Sequence, residues 1–217
     1  MAAAAPIQAP SALAPTTFAD LIWPARPGRA TLALRGIVLT ILGACLLTLS
    51  AKVIVPGPIN TTLQALCVLA LGATLGLRLS VAAVALYIAE GAMGLPVFTN
   101  TPPLMAGLPY LMGQTGGFLA GFVVAAAIVG FAADRGLINR PLRFALVLVA
   151  ADAAMMACGW AWLALFAQFA SGATGIGFAK AFAVGVQPFI LAETLKVALA
   201  AFALPAVWAT ASRLLQR

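Results

Sequence analysis

The chain has 217 residues, of which 64% are hydrophobic and 8% are charged, with a net charge of +7. This composition excludes an ordinary soluble domain and indicates an integral membrane protein. The chain has no histidine and no GxxxxGK[ST] sequence, which excludes Ser-His-Asp and Cys-His catalysis, most zinc sites and nucleotide hydrolysis by a phosphate-binding loop. We therefore expect no catalytic residue, no metal and no cofactor.

The apolar residues fall into long segments that suit helices crossing a bilayer. A hydrocarbon core of about 30 Å needs about 20 apolar residues per helix, and the chain offers about six such segments. No alternating strand pattern indicates a barrel, and lipid permits only helices or closed barrels. We predict an all-α integral membrane protein, in which residues 31–217 form a compact bundle of six transmembrane helices.

Residues 1–30 are rich in alanine and proline and carry no charge before Asp20. A secretory signal needs a basic start and an unbroken apolar centre, and prolines at 6, 10 and 15 break this one. We expect residues 1–30 to be a mobile cytoplasmic tail.

The first predicted helix, about residues 31–51, carries a stripe of small residues at every fourth position. The stripe consists of Gly36, Thr40, Ala44 and Thr48. Small residues let another helix approach closely. The stripe either packs within this chain or forms a docking face for another subunit.

Polar residues mark the ends of the second and third predicted helices. Thr62 and Gln64 open the second helix after the turn-forming sequence VIVPGPIN. A tight turn near Arg78 leads into the third helix, about residues 80–94, and Glu90 lies near its far end. An acid within a membrane segment indicates a functional site, and the alternative is that Glu90 extends to the membrane interface.

Residues 95–112 contain four prolines and no charged residue. A solvated loop of this length normally carries charge, so we predict a proline-rich cap folded over the outer side of the bundle. The sequence GQTGGF then opens the fourth helix, with Gln114, Thr115 and Gly116 as candidate binding residues. Its glycines permit a ligand or a helix to approach the backbone.

Two further acids lie in the last two predicted helices. Asp152 lies in the first half of the fifth, near arginines at its start, so we favour a structural or coupling role over ligand contact. In the sixth, Glu193 and Lys196 are three residues apart and share one helix face. Each costs several kcal/mol in hydrocarbon unless it meets a partner or a cavity. They form either a ligand site or a self-neutralising pair that only orients the helix.

The distribution of basic residues predicts the orientation. Threading six helices places every arginine on one side, and only Lys52 and Lys180 on the other. Because basic residues collect in cytoplasmic loops, both termini are expected to be cytoplasmic. The net charge then indicates contact with the anionic lipid bilayer and requires no nucleic acid.

In this orientation, polar groups from four helices gather near the outer side, which is typical of a small-molecule site. The candidate substrate-binding residues are Thr62, Gln64, Glu90, Gln114, Thr115, Gly116, Glu193 and Lys196. An apolar site with these groups suits a largely apolar solute that carries a carboxylate for Lys196 and N–H donors for an acid.

Four motifs, PINTTLQALCVLALGATLGLR, YIAEGAMGLPVF, GQTGGFLAGF and PFILAETLK, occur in this order over about residues 51–201. Together they resemble the BioY family, the biotin-specific substrate-binding (S) components of energy-coupling factor transporters. The resemblance implies a six-helix subunit of the bacterial inner membrane that binds biotin from outside. It also implies a transmembrane coupling protein and two ATP-hydrolysing subunits as partners, although some members have been proposed to act without them.

The resemblance also assigns site residues. The acid-and-lysine signature of the family falls on Glu193 and Lys196, its TLQ motif on residues 62–64 and its TGG(Y/F) motif on residues 115–118. This chain differs in having Glu193 where aspartate is typical, Phe118 where tyrosine is common and Gln114 where proline is common. The small-residue stripe fits the family's use of the first helix for docking to the coupling protein. Other possibilities are a subunit for another vitamin, or an intramembrane enzyme using Glu90, Glu193 and Lys196 as acid and base.

Overall fold

The computed structural model describes residues 17–24, 28–56, 60–104 and 106–215, and these are mainly helical. The α-helices are α1 (Phe18–Ile22), α2 (Arg29–Lys52), α3 (Gln64–Ala92), α4 (Leu108–Met112), α5 (Gly116–Asp134), α6 (Pro141–Leu165), α7 (Phe178–Gly185) and α8 (Ile190–Leu215). Short 3-10 helices cover Leu137–Asn139 and Gln187–Phe189. Strands β1 (Ile54–Val55) and β2 (Thr61–Thr62) pair antiparallel, with Ile54 opposite Thr62.

Several of these helices are long and apolar enough to cross a membrane. Among the described residues there are five such stretches: Arg29–Lys52, Gln64–Ala92, Gly116–Asp134, Pro141–Leu165 and Phe178–Leu214. The expected mainly helical, membrane-spanning architecture is therefore confirmed, whereas the six-helix count stays a prediction.

Helix α3 reverses its direction at Gly76. This residue has φ 74° and ψ −178°, a conformation that only glycine adopts readily. The side chain of Gln64 donates a hydrogen bond of 2.7 Å to the hydroxyl of Tyr87, 23 residues away. A straight helix would separate these residues by about 35 Å. Residues 64–75 and 77–92 therefore form an antiparallel hairpin, and its turn at Gly76 lies two residues before Arg78, near which the sequence predicts a tight turn.

The centre of the bundle is formed by α3, α5 and α6, which approach closely at glycines. A side chain at Gly130 of α5 would meet the backbone of Leu77, and one at Gly121 would meet the backbone of Met155 on α6. Both crossings therefore depend on a residue without a side chain. They fix the positions of the helix ends that surround the cavity described below.

The small-residue stripe of α2 faces the interior of the chain. Ala44 has no exposed surface, and Gly36 lies beside the side chain of Leu79. Thr40 and Thr48 are half-buried, and Thr48 donates its hydroxyl to the carbonyl of Ala44. Ala44 thus packs within the chain and is not accessible to a partner, whereas the docking of another subunit on the half-buried positions of the stripe stays a prediction.

Residues 17–24 differ from the expected mobile tail. The ring of Phe18 packs edge-on against Trp208 of α8 with centroids 5.0 Å apart. Asp20 accepts a 2.9 Å hydrogen bond from Arg35 of α2. An aromatic contact and an ion pair therefore hold α1 against the bundle. The expectation for residues 1–16 and 25–27 falls outside the described residues.

The proline-rich segment between α3 and α5 is held against the bundle by buried aromatic rings. Phe98 is fully buried, stacks on Tyr110 at 4.6 Å and meets Tyr87 edge-on at 5.4 Å. Lys52, the last residue of α2, donates to the backbone carbonyls of Phe98 and Thr101. These contacts fix the loop beside the ends of α2 and α3.

Candidate functional site

A cavity of about 310 Å³ lies among the ends of several helices. Its walls come from β2 and the start of α3, the segment between α3 and α5, the start of α5, the middle of α6 and the start of α8. The lining residues are Asn60, Thr61, Thr62, Gln64, Ala65, Tyr87, Thr99, Asn100, Tyr110, Thr115, Phe118, Leu119, Phe122, Met155, Met156, Phe189, Glu193 and Lys196. The volume is at the lower end of the range for small-molecule sites.

The acid and the amine of α8 form an ion pair in the cavity wall. The ammonium of Lys196 donates to Oε1 of Glu193 at 2.7 Å and to the hydroxyl of Thr61 at 2.8 Å. The two side chains are only 8% and 10% exposed. The second carboxylate oxygen of Glu193 is buried and accepts no hydrogen bond from the described residues. The pair therefore neutralises itself and still lines a cavity with one unused acceptor.

Hydrogen bonds also order other polar groups of the cavity wall. The hydroxyl of Thr62 donates to the side-chain oxygen of Gln64 at 3.1 Å, and Gln64 in turn donates to Tyr87. The hydroxyl of Tyr110 donates to the carbonyl of Thr99 at 3.1 Å. Burial raises the pKa of Tyr110, so its hydroxyl stays neutral at physiological pH. The wall consequently offers neutral amide and hydroxyl groups with fixed orientations.

The remaining wall is apolar. Phe118, Phe122 and Phe189 provide aromatic surface, and Met155 and Met156 provide thioether side chains. Methionine adapts its shape to a neighbouring group and makes favourable contacts with rings and sulfur. This wall suits a compact apolar part of a ligand.

The structure brings together five of the eight predicted site residues. Thr62, Gln64, Thr115, Glu193 and Lys196 line the cavity.

The other three predicted residues do not line the cavity. Glu90 is half-buried on α3, and Gln114 is exposed. Gly116 lies so close to the carbonyl of Leu111 that any side chain there would collide with it. The backbone of Gly116 therefore sets how α5 begins beside the cavity.

Sequence reasoning missed several lining residues. Tyr87 had a usable signal, since a hydroxyl within an apolar run needs a buried partner. Asn60 and Asn100 had only a weak sequence signal, because polar residues are common in loops. Phe118 belongs to the TGG(Y/F) motif, but Phe122, Phe189 and the two methionines had no signal, because the same residue types also fill an ordinary core.

The chemistry of the cavity is that of recognition. Among the lining residues, Glu193 carries the one negative charge and Lys196 the one positive charge. A strong donor and a strong acceptor lie side by side in a largely apolar enclosure, where hydrogen bonds are stronger than in water. The described residues contain no group of three or more metal-binding side chains.

Known proteins similar to this chain are described as biotin transporters. The BioY family model matches residues 25–213. A probable biotin transporter BioY from Pyrococcus horikoshii is 34% identical over 66% of this chain and 77% of its own length. The biotin transporter BioY from Thermotoga maritima is 33% identical over 72% of this chain and 85% of its own length.

The fold is also similar to a solved structure. The crystal structure of the S-component for biotin from an ECF-type ABC transporter matches with a TM-score of 0.66 and 17% identity, over 84% of this chain and 94% of that one. At this identity the likeness shows the fold. The family match covers most of the sequence, and the long apolar helices make the chain a multi-pass membrane protein. This chain therefore belongs to the BioY family.

Proposed function

We propose that this protein is the membrane-embedded substrate-capture subunit for biotin uptake. It binds biotin from the extracytoplasmic side and delivers it inward with an ATP-driven coupling module. The relatives named as biotin transporters support the choice of substrate. The observation that carries the proposal is the buried pair of Glu193 and Lys196 in the wall of a cavity.

The chemistry of biotin matches this pair. Its cyclic urea has one carbonyl acceptor flanked by two N–H donors. Lys196 supplies a donor for the carbonyl, and the unused oxygen of Glu193 supplies an acceptor for an N–H. The added methylene of glutamate relative to aspartate moves this acceptor toward the ligand.

The rest of the biotin molecule matches the other walls. Its sulfur-containing ring suits the aromatic and methionine side chains, of which Phe122 and Met155 are examples. Its carboxylate is directed to neutral donors such as Asn60, Asn100 and Thr115, since Lys196 is already engaged. A bound ligand thereby completes the hydrogen bonding of the buried acid.

In the membrane, we propose six crossings, with the hairpin at Gly76 supplying two of them. The protein lies in the bacterial inner membrane with both termini cytoplasmic, because its arginines then fall on the cytoplasmic side. The proline-rich segment acts as the outer cap: its residues Thr99, Asn100 and Tyr110 already line the cavity.

The proposed partners are a transmembrane coupling protein and two ATP-hydrolysing subunits. The chain has no phosphate-binding loop of its own, so ATP-driven delivery depends on other chains. The solved structure of similar fold is described as a component of an ECF-type ABC transporter, which supports this assembly. We place the capture step entirely in this chain, with no cofactor and no chemical change to the ligand.

The experiment is calorimetric titration of the purified full-length protein in lipid nanodiscs with biotin. Biotin is expected to bind and to be recovered unchanged, and a panel of other vitamins should not compete. Saturable binding of a different vitamin instead would reassign the substrate. Conversion of the ligand to a product would favour an intramembrane enzyme and overturn the proposal.

A further inference from the structure

Tyr87 lines the cavity, but its hydroxyl has no part in the contacts proposed for biotin. It lies on the second arm of the α3 hairpin, its side chain is fully buried, and its ring meets Phe98 edge-on at 5.4 Å. The hydroxyl oxygen lies 2.7 Å from Nε2 of Gln64 and 3.4 Å from the backbone carbonyl oxygen of Val97. Tyr87 therefore joins a polar group of the cavity wall to the backbone of the proline-rich segment.

The carbonyl of Val97 determines how this hydroxyl is used. A carbonyl oxygen only accepts hydrogen bonds, so the hydroxyl of Tyr87 donates its one proton to it. Within the described part of the chain, no backbone N–H donates to this carbonyl, and Val97 is only 9% exposed. A buried carbonyl needs a donor, and Tyr87 supplies it. With its proton engaged by Val97, the hydroxyl of Tyr87 can only accept from Gln64.

These bonds fix the direction of the side-chain amide of Gln64. Its nitrogen faces Tyr87, and its oxygen faces Thr62, whose hydroxyl donates to it at 3.1 Å. An amide turned by half a rotation would set its oxygen against the oxygen of Tyr87 with no proton between them. Gln64 is only 6% exposed, so the loss of these bonds would leave buried groups unsatisfied. The amide therefore has one favourable orientation.

We propose that Tyr87 is a positioning residue that holds the amide of Gln64 so that it offers the ligand an N–H donor. This inference rests on the proposed function, because Gln64 lines the same cavity. The amide nitrogen carries two N–H groups, and the bond to Tyr87 uses one of them. The other is left for an acceptor oxygen of the ligand, and a ligand N–H at this place is rejected. Biotin has such acceptors in its urea carbonyl and its carboxylate.

Removing the hydroxyl of Tyr87 frees the amide to turn. Tyr87→Phe keeps the ring that packs on Phe98, and biotin affinity should fall by about fivefold to tenfold, the effect of about one hydrogen bond. Calorimetric titration of the full-length protein in nanodiscs measures it. The matched control is Ser80→Ala, which removes another fully buried hydroxyl from the same arm of α3. This hydroxyl bonds only backbone carbonyls, so the control should bind biotin with wild-type affinity.

A double-mutant cycle separates positioning from general support of the fold. Gln64→Leu removes the amide and should weaken biotin binding by itself. In that background, Tyr87→Phe should cause no further loss, because no amide is left to orient. An equal loss with and without the amide overturns the role of Tyr87. If Tyr87→Phe does not fold, the same cycle uses Thr62→Val, which removes the hydrogen bond at the other end of the amide, and an equal loss in both backgrounds again overturns the inference.

A second measurement observes the amide without any ligand. In nuclear magnetic resonance spectra of nanodiscs with isotope-labelled glutamine side chains, the signal of Gln64 is the one that Gln64→Leu removes. Tyr87→Phe should shift this signal, because the N–H loses its partner while the neighbouring ring stays, and Ser80→Ala should leave it in place. An unchanged signal in Tyr87→Phe overturns the role of Tyr87. Failure of the wild type to bind biotin overturns the proposed function instead.

Discussion

Helices α2 and α8 each carry a sequence pattern that has two possible interpretations. The structure gives a different outcome for each pattern. On α8, Glu193 and Lys196 pair with each other and also line the cavity. On α2, Ala44 of the small-residue stripe is fully buried, while Thr40 and Thr48 stay half-buried. A buried acid and amine need polar surroundings, which few places in a bundle offer. Small residues fit any close helix contact, inside the chain or outside it.

A buried charged pair is satisfied in few places, whereas a small-residue stripe fits helix contacts inside or outside the chain. Variants of both patterns test this difference. The largest effect is expected at Lys196. Lys196→Ala leaves Glu193 buried without its counter-ion and should weaken biotin binding by at least about 2 kcal/mol. Calorimetric titration measures it, and Leu195→Ala, at a 62% exposed neighbouring position, is the control expected to bind normally. Unchanged binding by Lys196→Ala would show that the pair only orients the helix.

The next effect concerns the stripe on α2. Ala44→Leu forces three extra carbons into a fully buried contact and should lower stability by about 1–3 kcal/mol. Cys45→Leu places the same side chain at the adjacent exposed position and should be neutral. Thermal unfolding of both variants in nanodiscs measures the difference. If Ala44→Leu stays equally stable yet no longer co-purifies with a coupling subunit, the stripe is a docking face for that subunit.

A smaller effect is expected at Thr61. Thr61→Val keeps the shape of the side chain and removes one of the two hydrogen bonds made by Lys196, which should weaken biotin binding by about 1 kcal/mol. The matched control is Thr194→Val on α8, whose hydroxyl bonds only its own helix. Equal affinities for the two variants would mean that Thr61 does not hold the ammonium for the ligand.

The smallest effect is expected at Glu90. This acid was a candidate by sequence, but it lies outside the cavity lining, so Glu90→Gln should change biotin affinity by less than about 0.5 kcal/mol. The titration used for Lys196→Ala measures it. A loss as large as that of Lys196→Ala would assign Glu90 to the ligand.

Residues with strong local requirements were predictable from the sequence. The turn near Gly76 follows from the break between two apolar segments, and the hairpin found there agrees with it. The pairing of Glu193 with Lys196 follows from their spacing on one helix face. In both cases, the residues that determine the feature lie close together in the sequence.

Features that depend on distant partners were not predictable. Phe18 becomes buried because it meets Trp208, nearly two hundred residues later in the chain. Met155 lines the cavity and Leu148, two turns earlier on α6, fills the core. No pattern along the helix separates these two uses. The direction in which the stripe of α2 faces likewise depends on where α3 lies.

Lys52 ties the last turn of α2 to the proline-rich segment. Its ammonium donates hydrogen bonds to the carbonyls of Phe98 and Thr101. These residues flank Thr99 and Asn100, which line the cavity. Much of the opposite face of α2, including Ile37 and Leu49, is exposed toward the surrounding lipid. A tilt of α2 in a bilayer of different thickness would therefore displace the part of the cavity wall that Thr99 and Asn100 form.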